Sequence, residues 1–310
     1  MSKLRLTQAA VAAAHLPAQT PPTTRLAGRW PHAGARLACW ALAAAALAGP
    51  AQAAITVFEG SAASPAGLTP TRDAFRTAVG GGDVAGANGN FGGLRREINW
   101  DGVGAAFADP AALPADFFNV NSPRGLVMSS PTPGATFAVS ANAGGATPVL
   151  FGFPGDLQTF SAQRLFATVG SRSTDIRFFV PGTSTPATTS AFGVVFVDVE
   201  ADDATDFTTL EFFDLADQLI FSRRALVAGN QGLSFLGGVA GAGELIARVR
   251  ITTPNNFLLS NGVRLNESND FVVMDDFLYA TPVPVPEPTS ALLLALGLGG
   301  LALRLRRRFA

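Results

Sequence analysis

Two adjacent aspartates, Asp275 and Asp276 in VVMDDFLY, interrupt a run that is otherwise apolar on both faces. A carboxylate placed in such a strand needs a partner, because burying an unpaired charge is costly. Upstream, DVEADDATD gathers Asp198, Glu200, Asp202, Asp203 and Asp206. On a strand, Asp198, Glu200 and Asp202 would share one face, and that density of carboxylate oxygen suits Ca²⁺. The stretch is no EF-hand loop. Its sixth position is Asp203 where glycine is needed, and its twelfth is Thr209 where glutamate is needed. The plainer reading of DVEADDATD is a solvated strand end and turn. For Asp275 and Asp276 it is a bulge or edge strand with both carboxylates in water.

Other chemistries are excluded by what is missing. Both histidines (His15, His32), the only cysteine (Cys39) and the only lysine (Lys3) precede residue 54. The remainder therefore has no Ser-His-Asp triad, cysteine nucleophile, lysine Schiff base, His/Cys zinc site or disulfide. Between Ala54 and Ala280, 13 arginines face 22 acidic residues, a net charge of −9. Nucleic-acid binding needs clustered positive charge and is not expected. Acidic pairs of the glycosidase kind are possible with so many carboxylates, but no motif singles one out. Trp100, in NWDG, is the only tryptophan after residue 54, and Tyr279 is the only tyrosine. That is few rings for stacking sugars, and Trp100 beside an Asp-Gly turn reads as core. The chain is not expected to be an enzyme.

The elements that must position these residues are short. Runs such as ITVFE, LRREINW, RGLVMSS, ATFAVSA, DIRFFV, FGVVFVDVE, LSFLGGV, ELIARVRIT and DFVVMDDFLYA are rich in β-branched and aromatic residues. Gly, Pro, Asn and Thr separate them, which predicts an antiparallel β-sandwich. TTLEFFD and QLIFSRR flank LAD as a hairpin. One helix is expected in TPTRDAFRTAVGG, with Thr69 or Thr71 as N-cap, Pro70 near the first turn and Gly80 as terminator. It would cap one end of the sandwich.

Two further apolar segments are not core. LACWALAAAALAG (Leu37–Gly49) follows Arg36 and precedes PAQAA. A basic flank, an apolar run and an Ala-x-Ala site form a signal peptide for the Sec translocon, with Ala51 and Ala53 at the cleavage site. At the other end, Ala291–Leu303 is apolar and is followed by RLRRR. About 20 residues make a comfortable span, so this is a marginal transmembrane helix with its arginines on the cytoplasmic side. The predicted organisation is 1–53 signal peptide, 54–280 ectodomain and 281–310 tail.

The tail VPEPTS (Val285, Pro286, Glu287, Pro288, Thr289, Ser290), then the short apolar helix and the arginine cluster, resembles the PEP-CTERM sorting signal of Gram-negative bacteria. The resemblance implies export, a membrane-anchored intermediate, and processing near Pro286-Glu287-Pro288 by an exosortase, a transpeptidase-like membrane enzyme. It further implies a final place at the cell surface or in the extracellular matrix, beside extracellular polysaccharide. FNVNSPRGLVMSS, DIRFFVPGTSTPATTSAFGVVFVDVE and VVMDDFLYA resemble a secreted jelly-roll ectodomain. Jelly-roll carbohydrate-binding modules often hold a structural Ca²⁺ between an early-strand glutamate and a last-strand aspartate. Glu59 matches the former, and Asp276 or Asp275 the latter. The expectation is one Ca²⁺ clasping the first and last strands, in a structural or binding module. A hydrolase of matrix polysaccharide is the alternative.

Overall fold

The computed structural model describes residues 54–80, 94–141, 149–241, 243–260, 262–266 and 268–285. The β-rich runs become fourteen strands among these residues. They are β1 (Ile55–Ala62), β2 (Arg95–Ile98), β3 (Leu126–Ser129), β4 (Thr136–Val139), β5 (Phe166–Val169), β6 (Ser173–Phe179) and β7 (Pro186–Thr188). The rest are β8 (Ala191–Val197), β9 (Thr209–Phe213), β10 (Leu219–Arg224), β11 (Leu233–Ala240), β12 (Arg248–Thr252), β13 (Val273–Ala280) and β14 (Val283–Pro284). Two helices join them, α1 (Pro65–Val79) and the single turn α2 (Phe117–Val120).

The strands form two antiparallel sheets. One runs β1-β11-β8-β13-β5-β4, with β2 also pairing β13. The other runs β10-β9-β12-β6-β7-β14, with β3 also pairing β6. Between them Phe192, Val194 and Phe196 of β8 and Phe277 and Tyr279 of β13 pack with Ile176, Phe178, Val249 and Ile251 of the second sheet. The expected β-sandwich is therefore what the chain builds. The first sheet is covered on its outer face too. There Leu68 and Phe75 of α1 meet Val195, Val197, Phe235 and Leu278. This double cover explains why β8 (AFGVVFV) reads as an unbroken apolar run and not as an alternation.

The helix differs from expectation in start and place. Its N-cap is Ser64, whose side chain accepts from Gly67 N at 3.4 Å, with Pro65 in the first turn. Neither Thr69 nor Thr71 caps it, because Pro65 supplies the N1 proline that favours a start there, and Pro70 is carried inside. Gly80 does end it. The helix lies on the sheet face rather than over one end of the sandwich. Phe75 meets Phe58 and Phe235 edge-on, at centroid distances of 5.8 and 5.4 Å. Two glycines permit that approach: a Cβ on Gly237 would stand 3.0 Å from the Phe75 ring and from the Gly193 backbone.

β13 carries the feature that matters most for the site. Met274 pairs with Phe196 and Phe277 with Val194, so three steps on β13 match two on β8. The extra residue is a β-bulge, and Asp275 and Asp276 occupy it. The plainer reading, with both in water, fails: they are 0% and 5% exposed, in a central strand.

Beyond the predicted ectodomain end at Ala280, β14 pairs with β7 at Val283↔Thr188 and Pro284↔Ala187. Among the described residues no helix is long and apolar enough to cross a membrane. The predicted signal peptide with Ala51 and Ala53, the residues from Pro286 to Ser290 and the apolar stretch Ala291–Leu303 lie outside the described residues.

Candidate functional site

The bulge in β13 fixes two carboxylates that have different partners. Asp275 is held by the loop over the sheet. Its Oδ2 accepts from Phe160 N at 2.6 Å and Ser161 N at 3.3 Å, and its Oδ1 from Ser161 Oγ at 2.9 Å. Asp276 Oδ2 stands 3.8 Å from Arg72 Nη1 of α1, and its Oδ1 has no hydrogen-bond donor. Burial raises both carboxyls above the usual carboxylate range, and the charge of Asp276 pushes Asp275 further. The pair therefore retains a proton to higher pH than separate carboxyls would.

Asp276 opens onto a cavity of about 520 Å³, within the range of small-ligand sites. Its walls come from α1 (Arg72, Arg76), β2 (Glu97), the loop after β2 (Trp100, Asp101) and the segment around α2 (Phe117, Phe118, Arg124). Glu97 takes a two-pronged bond from Arg76, at 2.8 and 2.5 Å, and a third from Arg95 Nε at 2.5 Å. Arg124 donates to the Glu97 carbonyl at 3.2 Å, and its guanidinium lies 5.6 Å from the centre of the Phe118 ring.

Trp100 sets the angle of one wall. Its φ is +65°, a left-handed conformation that a bulky residue adopts at a cost. Its indole Nε1 donates to the Asp275 carbonyl at 2.8 Å, and its ring stacks on Phe166 at 4.3 Å. Only 1% of it is exposed, so it anchors the core and offers no stacking platform. The strained turn carries Asp101, whose Oδ1 accepts from Arg164 N at 3.1 Å. Desolvation, supplemented by the charge of Asp276, pushes Asp101 up to about 6. The cavity thus presents one carboxyl poised to donate or accept a proton, one buried unpartnered carboxylate oxygen and several guanidinium groups. Such a set hydrogen-bonds hydroxyl-rich or polar small molecules.

Of the residues predicted for a Ca²⁺ clasp, Asp275 and Asp276 are brought together and Glu59 is not. Glu59 sits on the sheet-edge strand β1, where Arg223 of β10 grips it with two bonds of 2.5 Å. That hydrogen bonding holds its carboxyl below the usual range. β1 pairs with β11, so β11 and β8 lie between Glu59 and β13. Three strand spacings make about 14 Å, too far for one ion. The first and last long strands do not pair, and the repulsion the clasp was to relieve does not arise there.

DVEADDATD also departs from its strand reading. β8 ends at Val197, and Asp198 turns away with φ +71°. Asp198 and Asp206 are buried, whereas Asp202 is exposed and paired with Arg224 at 2.5 Å. The cavity residues Arg72, Arg76, Glu97, Asp101 and Arg124 carried no spacing signal, since three separate segments of the chain supply them. Asp101 alone was visible, as the neighbour of Trp100 in NWDG.

No curated protein matches the chain. Among solved structures, a mutant of the lectin binding domain of lectinolysin complexed with Lewis b aligns at 10% identity, over 49% of this chain and 98% of that one. Its TM-score is 0.21, which leaves fold and ligand without support from that likeness. The tail does have a match: residues 284–308 fit the PEP-CTERM protein-sorting motif, the signal of an exported protein that passes through a membrane-anchored intermediate to an exosortase.

Proposed function

We propose that the chain is a binding module of the cell envelope or extracellular matrix, and that the cavity beside Asp276 holds a sugar unit of extracellular polysaccharide. One observation carries this reading. A cavity of about 520 Å³ combines Asp101, Asp276 and Arg72 over an apolar, aromatic floor at a bulge in the central strand. Carboxylates accept from sugar hydroxyls and guanidinium donates to ring and hydroxyl oxygens. The sorting motif supplies the setting, since it sends the module outside the cell.

Titration of polysaccharide fragments into the full chain in mild detergent tests it. Binding that falls tenfold or more in Asp101→Asn and Arg72→Gln, with the melting temperature held, is the expected result. No binding across a broad glycan set, or binding indifferent to both changes, would refute it.

The raised carboxyl of Asp101 favours a second reading, hydrolysis of matrix polysaccharide. A carboxyl near 6 suits a general acid, and Asp276 and Glu97 share its cavity. Turnover abolished by Asp101→Asn would establish that reading, and binding without turnover would establish the first.

A further inference from the structure

A second acidic cluster lies apart from the cavity, at the end of the sandwich where β8 leaves and β13 enters. Val197 and Val273 are paired there. Asp198 follows β8, Glu200 lies two residues on, and Asp270 precedes β13. One carboxylate oxygen from each lies within 4.8 Å of the others. Ca²⁺ binds oxygen at about 2.3–2.6 Å, so oxygens sharing one ion stand no more than about 5 Å apart, and the three fit that limit.

Their bonding leaves room for a cation. Asp270 is 8% exposed, and its Oδ2 accepts from Glu200 N at 2.7 Å and Ala201 N at 3.3 Å. Its Oδ1, equally buried, has no donor. Asp198 Oδ1 accepts from Gln231 N at 2.7 Å. The charges that bear most on Asp198 are Asp270, Glu200 and Asp156, and on Asp270 they are Asp206 and Glu200, every one a carboxylate. Arginines on adjoining segments are engaged elsewhere: Arg264 with Asp156 at 2.6 Å and Arg224 with Asp202 at 2.5 Å. A buried carboxylate oxygen without a donor, among like charges, lacks the pairing that buried charge requires.

We propose that Asp198, Glu200 and Asp270 form a Ca²⁺ site that ties the end of β8 to the start of β13. The ligands are all hard oxygen and come from irregular backbone with unequal burial. That suits the flexible coordination of Ca²⁺ better than the strict octahedron of Mg²⁺. Water completes the shell on the exposed side of Glu200. Burial and mutual repulsion raise Asp198 to about 7 and Asp270 to about 6, the same crowding that an ion relieves.

The test uses the full chain in mild detergent, stripped with EGTA, then titrated with CaCl₂ by calorimetry and followed by thermal melts. One Ca²⁺ per chain is expected. At free Ca²⁺ a hundredfold above Kd the melting temperature should rise by about 5–10 °C, with a smaller rise for Mg²⁺. Asn keeps the acceptors for Gln231 N and Glu200 N, so Asp198→Asn and Asp270→Asn should fold, melt in EGTA at or above wild type, and ignore Ca²⁺. Asp276→Asn should keep the full response. A stripped wild-type chain that shows neither heat nor a melting shift with Ca²⁺ would overturn the site. So would a response that survives in the two cluster variants, or one lost in Asp276→Asn alone.

Discussion

Asp275 shows how one buried carboxyl can be satisfied in hydrogen bonds and still be electrostatically uncomfortable. Two backbone N–H groups and a hydroxyl meet it, yet desolvation and Asp276 raise its carboxyl. Asp276 is raised chiefly by burial, against which Ser161, Asp275 and Arg72 of α1 lower it, while Glu97 of β2 adds a smaller upward push. A carboxyl raised on folding binds protons more tightly in the native state. Its stabilising contribution is complete below the unfolded value and is lost as pH rises through the folded one. Asp101, at about 6, acts in the same direction. In chelator, the melting temperature should therefore fall as pH rises from about 4 to neutrality. Asp275→Asn retains an acceptor for Phe160 N and lets Ser161 Oγ turn to accept, so it should flatten that slope and match or exceed wild type near pH 8. Parallel slopes for wild type and Asp275→Asn would contradict the account. Asp275→Ala should behave oppositely, losing about 1–3 kcal/mol by stranding Phe160 N, measurable by denaturant unfolding.

At the scale of elements, the seating of α1 on the first sheet depends on absent side chains as much as on present ones. Phe75 descends between Phe58 and Phe235 because Gly193 and Gly237 leave the sheet bare beneath it. Gly237→Val should destabilise by about 1–3 kcal/mol through overpacking, and Phe75→Ala by about 3–5 kcal/mol through the cavity it leaves. Equilibrium unfolding would measure both, and the pair should be strongly non-additive because the two sites touch. Most strands were legible from composition: ITVFE, FGVVFVDVE and LSFLGGV fall on β1, β8 and β11, with ends that differ by one to three residues. β5 was not, since LFATV is short and follows no turn signal, and β7 and β14 were missed because each is only two or three residues long and carries a proline. The bulge in β13 was foreseen only as one of two plain readings. It depends on register against β8, which no local pattern records. The cavity was illegible for a related reason: α1, β2 and the α2 segment contribute to it, and only the sheet order brings them together.

At the scale of the folded body, residues 54–280 are acidic, and an ion pair ties the two sheets along one edge. Glu59 of β1 and Arg223 of β10 bridge one edge of the first sheet to one edge of the second. At the opposite edge of the second sheet lies β14, where Pro284 fits an outer strand because it has no N–H to offer. Val285 N still donates to the Pro186 carbonyl at 3.1 Å, and the sorting motif already begins at residue 284. The folded body is thus continuous with the first residues of its own sorting motif. This predicts a clean separation between folding and sorting. The core that sets stability is drawn from residues between Leu68 and Ala280, whereas Pro286, Glu287 and Pro288 follow the last described sheet contact. Replacing that triplet by alanine in a host with its exosortase should leave export and the melting temperature unchanged. It should leave the tail uncut, so that the protein accumulates in the membrane fraction at its larger, unprocessed mass. Mass spectrometry of the surface and membrane fractions reads both. Normal maturation of the triplet variant would mean that the motif acts only as an anchor, and that processing, if any, occurs elsewhere in the chain.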